Sequence, residues 1–258
     1  MARLSFDALG TSLITSHTQA LAEVGRNHPL NTPVPTCGDW SLADLIWHLT
    51  EVQDFWAHII ARRPAGPDTY TRPSRPADRE LADLLGDRNR ALVTALDRAE
   101  PAEAAWSWSD DHTVAFSIRR QTHEAVVHHL DAVLAVGAEL PIVEPGVAAD
   151  GVDELVTVML TGIPEWACFE RTTGSMRLLA DDTGGSWDLA FGRMTGTSPD
   201  SGTNHDLTAL ELLSELDAPS TTISAGALDL ELWMWGRLDA DVLTVSGDPS
   251  GTTRLRTV

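Results

Sequence analysis

The sequence predicts an α+β protein in which a four-helix bundle is followed by a small α+β domain. Up to about residue 140, four segments of about 20 residues carry apolar side chains at helical spacing, and modest loops separate them. After residue 150, short apolar runs alternate with turns instead. We therefore expect a bundle over residues 1–140 and a second domain over residues 150–258.

Composition and charge restrict the possible partners. The 258 residues are 43% hydrophobic and 22% charged, which is typical of a soluble globular protein. The formal net charge of −20 argues against nucleic acid and against a membrane surface, because both require a basic face. No apolar run has the length of a signal peptide or a membrane span. We expect a cytoplasmic protein in which Cys37 and Cys168 are free thiols.

The first two helices are predicted from apolar spacing and from residues typical of helix ends. The first covers residues 4–25. The second covers residues 41–62 and stops before Pro64. Ser41 and Asp44 form a pair typical of a capping box at its start.

The other two bundle helices are predicted in the same way. The third covers residues 78–99 and is ended by Pro101. The fourth covers residues 113–136, with Gly137 as its C-cap.

The second region mixes strands and helices. Residues 141–151 have the composition of a linker, and residues 195–206 that of a flexible loop. A hairpin is predicted over residues 175–191, with its turn at 181–185. The remaining predicted elements are a helix at 152–160, a strand at 219–225, a helix at 228–237, a strand at 242–245 and a short terminal helix or coil.

A carboxylate and an imidazole are placed together on the fourth helix. Glu124 and His128 are four residues apart and therefore project side by side, so that they can share one divalent metal. The same row contains Gln121 and Asp131, and it would equally suit a helix face exposed to water. Asp131 is either an outer partner that orients a metal ligand or a surface charge.

One histidine interrupts an apolar stripe on the second helix. His48 lies at helical spacing from apolar residues, namely Leu45, Val52, Phe55 and Ile59. It is therefore expected to face the interior, where an imidazole must be either hydrogen-bonded or metal-bound. Both interpretations remain open from this helix alone.

Two parts of the chain resemble the mycothiol-dependent maleylpyruvate isomerase family. In the N-terminal part, the matching residues are GDWSLADLIWHL at 38–49 and the row Arg120, Glu124, His128 and Asp131. In the C-terminal part, DLELWMWGR at 229–237 and LTVSGDP at 243–249 resemble that family's second domain. The resemblance covers nearly the whole chain and implies a DinB-like bundle.

The resemblance also implies a metal site and a functional arginine. It assigns a divalent metal, usually zinc, to His48, Glu124 and His128, and it places the arginine at Arg237. Three protein ligands leave a coordination position open, which is typical of catalytic zinc. Arg237 can hold a substrate carboxylate with two hydrogen bonds, or it can simply end a helix as a favourable cation.

The implied activity is thiol chemistry with mycothiol as cosubstrate. A metal-bound thiolate would add to, or substitute on, a small electrophile that can carry a carboxylate, giving an isomerase or a thiol S-transferase. Arg119 or Arg120 can line the pocket. The alternatives are a metal-dependent hydrolase and a non-catalytic metal-binding or ligand-binding regulatory bundle. An intact set of ligands together with Arg237 argues against the regulatory bundle.

Overall fold

The computed structural model describes residues 10–255, which form two compact units that divide between Ile142 and Val143. The N-terminal unit is helical, and the C-terminal unit combines helices with a β-sheet. The predicted α+β fold class is therefore confirmed.

Four long helices build the N-terminal unit. They are α1 Gly10–Asn27, α2 Leu42–Arg62, α3 Leu81–Leu96 and α4 Val114–Ala135. The predicted start of the first helix, at residues 4–9, lies outside the described residues. The third helix begins later than predicted, because a single 3-10 turn at Asp78–Glu80 precedes it.

The helix ends follow the capping residues in the sequence. The Ser41 side chain accepts a hydrogen bond from the Asp44 backbone N–H, and the Asp44 carboxylate accepts one from the Ser41 N–H. The predicted capping box is thus confirmed. Thr113 caps α4 by accepting from the Phe116 N–H at 3.3 Å. Gly137, at φ +67°, follows the end of α4, where a left-handed residue is favoured.

α4 is buried on several sides, which determines where its polar residues lie. The apolar core between the helices consists mainly of leucine, isoleucine and alanine side chains. α4 contributes Ala132 to this core, yet Arg120, Gln121 and Asp131 on the same helix are also buried. The polar row on α4 is therefore not a face exposed to water.

The C-terminal unit begins with a helix where a linker was predicted. α5 covers Pro145–Glu154 and continues as one π-helical segment, Leu155–Leu160. Glu144 caps α5 through the Val147 N–H, and Pro145 occupies a first-turn position, where proline needs no donor. The linker prediction is wrong from residue 145 onwards, because Pro and Gly are typical of linkers but also occur in the first turn of a helix.

The described part of the C-terminal unit also contains a five-stranded sheet, in the order β3-β2-β1-β4-β5. β4 pairs parallel to β1, and the other neighbours are antiparallel. The strands are β1 Ala167–Ala180, β2 Gly185–Thr197, β3 Asn204–Leu213, β4 Thr221–Ala225 and β5 Thr244–Gly247. The predicted hairpin is confirmed, with Ala180 opposite Gly185 at its turn.

The predicted loop at 195–206 is wrong at both ends. β2 continues to Thr197 and β3 begins at Asn204, so that only six residues form the turn. Pairing of Thr197 with Asn204 closes the ladder, and the Ser198 N–H donates to the Thr203 carbonyl at 2.9 Å.

Two helices complete the C-terminal unit. α6 Ala227–Met234 packs against α5, and α7 Ser250–Leu255 lies near β1. α5 and α6 approach closely at Gly151, where a Cβ atom would overlap the Glu231 carboxyl group. None of the described helices combines the length and apolarity that crossing a bilayer requires.

Candidate metal centre

His48 is positioned by the start of α2. The capping box at Ser41 and Asp44 fixes where the helix begins, and His48 lies about two turns after Ser41. Its side chain is half-buried, with 33% of its surface exposed. The Trp40 ring, just before the cap, packs against the imidazole with their centroids 4.9 Å apart. The start of α2 and the ring of Trp40 therefore both fix the position of His48.

Glu124 and His128 project together from α4 towards His48. The His48 Nε2 atom lies 3.0 Å from Glu124 Oε1, and the His128 Nε2 atom lies 3.2 Å from the same oxygen. The two imidazole rings are nearly perpendicular, with centroids 4.9 Å apart. One ligand atom from each residue lies within 4.8 Å of the others.

These donors fit a zinc-type ion. Zinc takes imidazole nitrogen and carboxylate oxygen at about 2.0–2.2 Å, so that ligand atoms around a tetrahedral ion are roughly 3.3 Å apart. The two distances to Glu124 Oε1 agree with that spacing. Both imidazoles face the carboxylate through Nε2, so that they could direct lone pairs to one point.

Glu124 is held as a carboxylate by its neighbours. Burial favours the neutral form, but hydrogen bonds with His128 and His48 and the charge of Arg120 outweigh it, and the pKa of Glu124 lies well below its usual range. Arg120 Nη2 donates to Glu124 Oε2 at 3.1 Å, which leaves Oε1 facing the histidines. A metal ligand must be deprotonated, and Glu124 satisfies that condition.

His128 is supported from its other side by Asp131. His128 Nδ1 lies 3.0 Å from Asp131 Oδ2, and Asp131 is 0% exposed. The interpretation of Asp131 as a surface charge is therefore wrong, because α4 turns it inwards. Donation from Nδ1–H leaves Nε2 as the nitrogen that can bind an ion, the arrangement common behind metal-binding histidines.

A thiol that sequence reasoning left outside the site lies next to this pair. Cys37 Sγ donates to Asp131 Oδ2 at 3.4 Å. Burial lowers the pKa of His128, but hydrogen bonds with Asp131, Cys37 and Glu124 outweigh it and raise that pKa well above its usual range. Cys37 lies just before the predicted start of the second helix. Nothing near it in the sequence indicates a contact with the fourth helix.

The remaining histidines and arginines of α4 have separate surroundings. His129 Nδ1 lies 3.0 Å from His17 Nδ1 on α1, away from the Glu124 face. His123 is buried, and its ligand atoms do not join the cluster of His48, Glu124 and His128. Arg120 reaches the site through Glu124, and Arg119 is buried on the same helix.

Arg237 lies just after α6 in the C-terminal unit. Its Nη1 atom donates to the Trp235 carbonyl at 2.7 Å, and its guanidinium carbon lies 5.5 Å from the centroid of the Trp235 ring. Cys168, the second free thiol, is exposed on β1.

The chain is similar to known proteins in both sequence and fold. Residues 12–133 match the family model described as the mycothiol maleylpyruvate isomerase N-terminal domain. Crystal structures of the mycothiol-dependent maleylpyruvate isomerase and of a histidine-to-alanine mutant of it share the fold, each at 12% identity, over 92% of this chain and 91% of that chain. The TM-scores are 0.55 and 0.58, respectively. A search of curated protein sequences finds no match. The family resemblance read from the sequence is confirmed.

Proposed function

We propose that the protein is a mycothiol-dependent metalloenzyme, because its residues 12–133 match the family model of the mycothiol maleylpyruvate isomerase N-terminal domain. The observation that carries the proposal is the convergence of His48, Glu124 and His128 on one point from two helices. Two imidazoles and one carboxylate are the donor set of several catalytic zinc sites.

Each ligand residue has a distinct task in this proposal. As ligands, His48 and His128 would each offer a neutral nitrogen. The ion would have to displace a proton from His128, because its pKa is raised in the metal-free protein. Glu124 would offer one negative charge to a divalent ion. Arg120 donates to Glu124 Oε2, so that Oε1 is the oxygen that Glu124 would offer to an ion. A divalent ion held there would lower the pKa of an incoming thiol and so supply a thiolate at neutral pH.

The thiolate can serve two related reactions. Addition of its sulfur to a cis-alkene diacid forms a C–S bond and makes the former double bond a single bond. The electron pair of that double bond moves onto the neighbouring carbon, which is conjugated with the acid carbonyl. Rotation and return of the pair then expel the same sulfur as a thiolate and leave the trans isomer. If the carbon takes up a proton instead, or if the sulfur displaces a group that leaves with its electron pair, the product is an S-conjugate. Isomerisation and S-transfer are therefore proposed jointly.

Arg237 is proposed as the group that binds a substrate carboxylate. A guanidinium can accept a carboxylate with two parallel hydrogen bonds, which the ammonium group of lysine cannot reproduce. Arg237→Lys should therefore raise KM for a carboxylate-bearing electrophile by about 10-fold or more, since bonds to charged groups are worth about 1.5–3 kcal/mol. Zinc binding should not change. Equal KM values for the two proteins would argue that Arg237 only ends α6.

Turnover with and without mycothiol tests the proposed function. The zinc-loaded protein is assayed with maleylpyruvate and with a carboxylate-free electrophile, in the presence of mycothiol, of glutathione or of no thiol. We expect conversion that requires mycothiol. Equal rates without any thiol would remove the thiol mechanism and favour metal-activated water, hence a hydrolase. Loss of all turnover despite stoichiometric zinc would favour a binding protein.

A further inference from the structure

One carboxylate oxygen accepts hydrogen bonds from both a proposed metal ligand and a cysteine. Asp131 Oδ2 lies 3.0 Å from His128 Nδ1 and 3.4 Å from Cys37 Sγ. Cys37 ends the 3-10 turn Pro35–Cys37, which precedes α2, so that it approaches α4 from a different part of the chain. The three side chains form a connected series that ends at the proposed ion.

We propose that Cys37 is a positioning residue that holds Asp131 in the orientation in which it supports His128. Asp131 is fully buried, and a buried carboxylate needs several donors to hold one orientation. A thiol is a weak donor, yet here it bonds to the same oxygen that receives the His128 N–H. Loss of the thiol would remove one of the donors that orient the carboxylate and would thereby loosen the imidazole. The inference rests on the proposed function in one respect, since it assumes an ion at His48, Glu124 and His128.

A second metal ion is the main competing explanation for this cluster. The ligand atoms of Cys37, His128 and Asp131 also lie within 4.8 Å of one another. An ion there would use His128 Nδ1 while the first ion uses Nε2, so that the ring would have to lose both of its protons. Hydrogen bonds explain the same distances while Nδ1 keeps its proton, and they are the usual surroundings of a metal-binding histidine.

Two substitutions at Cys37 separate hydrogen bonding from mere packing. Cys37→Ala removes the donor. Cys37→Ser keeps a donor of similar shape, although its shorter Cβ–O bond places the hydroxyl slightly farther from Asp131. Cys168→Ser, at the exposed thiol on β1, is the matched control for loss of a cysteine.

Zinc affinity, measured by competition with a chromogenic chelator, is the first readout. Cys37→Ala should weaken binding by about 10-fold, the lower end of the range for partners behind metal ligands. Cys37→Ser should remain within about 3-fold of wild type, because a hydroxyl donates at least as well as a thiol. Cys168→Ser should bind as wild type. Zinc content should be one ion per chain in all four proteins.

The His128 N–H in the cobalt-substituted protein is the second readout. Paramagnetic cobalt shifts the N–H proton of a bound imidazole away from other resonances, and its exchange with water reports how firmly Asp131 holds it. The signal should persist in wild type and in Cys37→Ser, and it should broaden by exchange in Cys37→Ala. Unfolding midpoints of the metal-free proteins control for general damage to the fold.

The outcomes distinguish the inference from the proposed function. Wild-type affinity together with an unchanged N–H signal in Cys37→Ala would overturn the positioning role and leave the metalloenzyme proposal intact. Two ions in wild type, reduced to one in both Cys37 variants, would overturn it in favour of a second metal site. Absence of any bound ion in wild type would overturn both proposals.

Discussion

Removal of His48 gives the most direct test of the candidate metal centre. His48 is the ligand that α2 would contribute to the proposed site, and its Nε2 atom lies 3.0 Å from Glu124 Oε1 on α4. An ion at this point connects two helices, so it stabilises the folded bundle in proportion to its affinity for the folded state. His48→Ala should remove most of that stabilisation without removing the other two ligands.

The expected size follows from binding linkage. At a zinc concentration 100 times the dissociation constant, one site adds about 2.7 kcal/mol. For a chain of this size, that corresponds to a rise of about 5–11 °C in the unfolding midpoint. Loss of a direct ligand should cost at least about 100-fold in affinity, since outer partners alone cost 10–100-fold. The same zinc concentration then adds only about 0.4 kcal/mol, or about 1–2 °C.

The assay is thermal unfolding of each variant with and without zinc in a buffer free of chelators. Taking the difference within each variant cancels any effect of the substitution on the metal-free protein. His28→Ala is the control, because His28 is exposed beyond the end of α1 and its loss should leave the zinc shift unchanged. A full zinc shift in His48→Ala, or no shift in wild type, would refute the proposed site.

Further predictions concern stability. Ser41→Ala should lower the free energy of unfolding by about 1 kcal/mol in a denaturant titration, because it removes the N-cap of α2. Hydrogen bonds from Ser41 and from a neighbouring arginine lower the pKa of Asp44 to about 2. The contribution of ionised Asp44 to the free energy of unfolding should be complete above about pH 4 and lost as the pH falls towards 2. That contribution should be below about 1 kcal/mol, because solvent screens the partly exposed pair of Asp44 and the arginine. Asp44→Asn should flatten that part of the stability profile, and an unchanged profile would contradict the assignment. Gly86→Ala, in the interior of α3 with only ordinary contact around the new Cβ, should raise the unfolding free energy by about 0.5–1 kcal/mol. Gly151→Ala should lower it by about 1–3 kcal/mol, because the new methyl overlaps the Glu231 carboxyl. Equal effects of the two glycine substitutions would show that helix propensity alone decides both.

Local signals in the sequence were sufficient for much of the bundle. The capping box depends on residues three apart, and the pairing of Glu124 with His128 depends on residues four apart, so both can be read from a short segment. The expectation that His48 faces inward came from its apolar neighbours on one helix, and the structure has it half-buried against Glu124. These inferences required no knowledge of how the helices pack.

Features that depend on packing could not be read in the same way. Asp131 had two open interpretations, because only the surroundings of α4 decide whether its polar row meets water. Cys37 is 94 residues away from its acceptor, Asp131, and nothing near it in the chain indicates that contact. The sequence therefore predicts the ligand side of the site and leaves the role of Asp131 open, whereas it gives no sign of Cys37.

The errors in the C-terminal unit have a similar cause. Residues 195–206 are rich in Gly, Ser, Thr and Asp, which locally favour turns. Cross-strand pairing overrides that preference, since the ladder between β2 and β3 continues as far as Thr197 and Asn204. An ion pair between Arg193, which lies just before the predicted loop, and Asp206, which is its last residue, bridges the two strands.

The parallel pairing of β1 with β4 has a consequence for how the C-terminal unit folds. β1, β2 and β3 follow one another as antiparallel strands joined by tight turns, so each pair can form from its own turn. β4 instead meets β1 at positions 45 residues apart, as in the contact of Ser175 with Ser220. Closing that loop costs conformational entropy, and the loop must close before any hydrogen bond of the parallel ladder can form. We therefore expect β4 to dock more slowly than the β1–β2 and β2–β3 pairs form, and β5, which pairs with β4, to join the sheet after it.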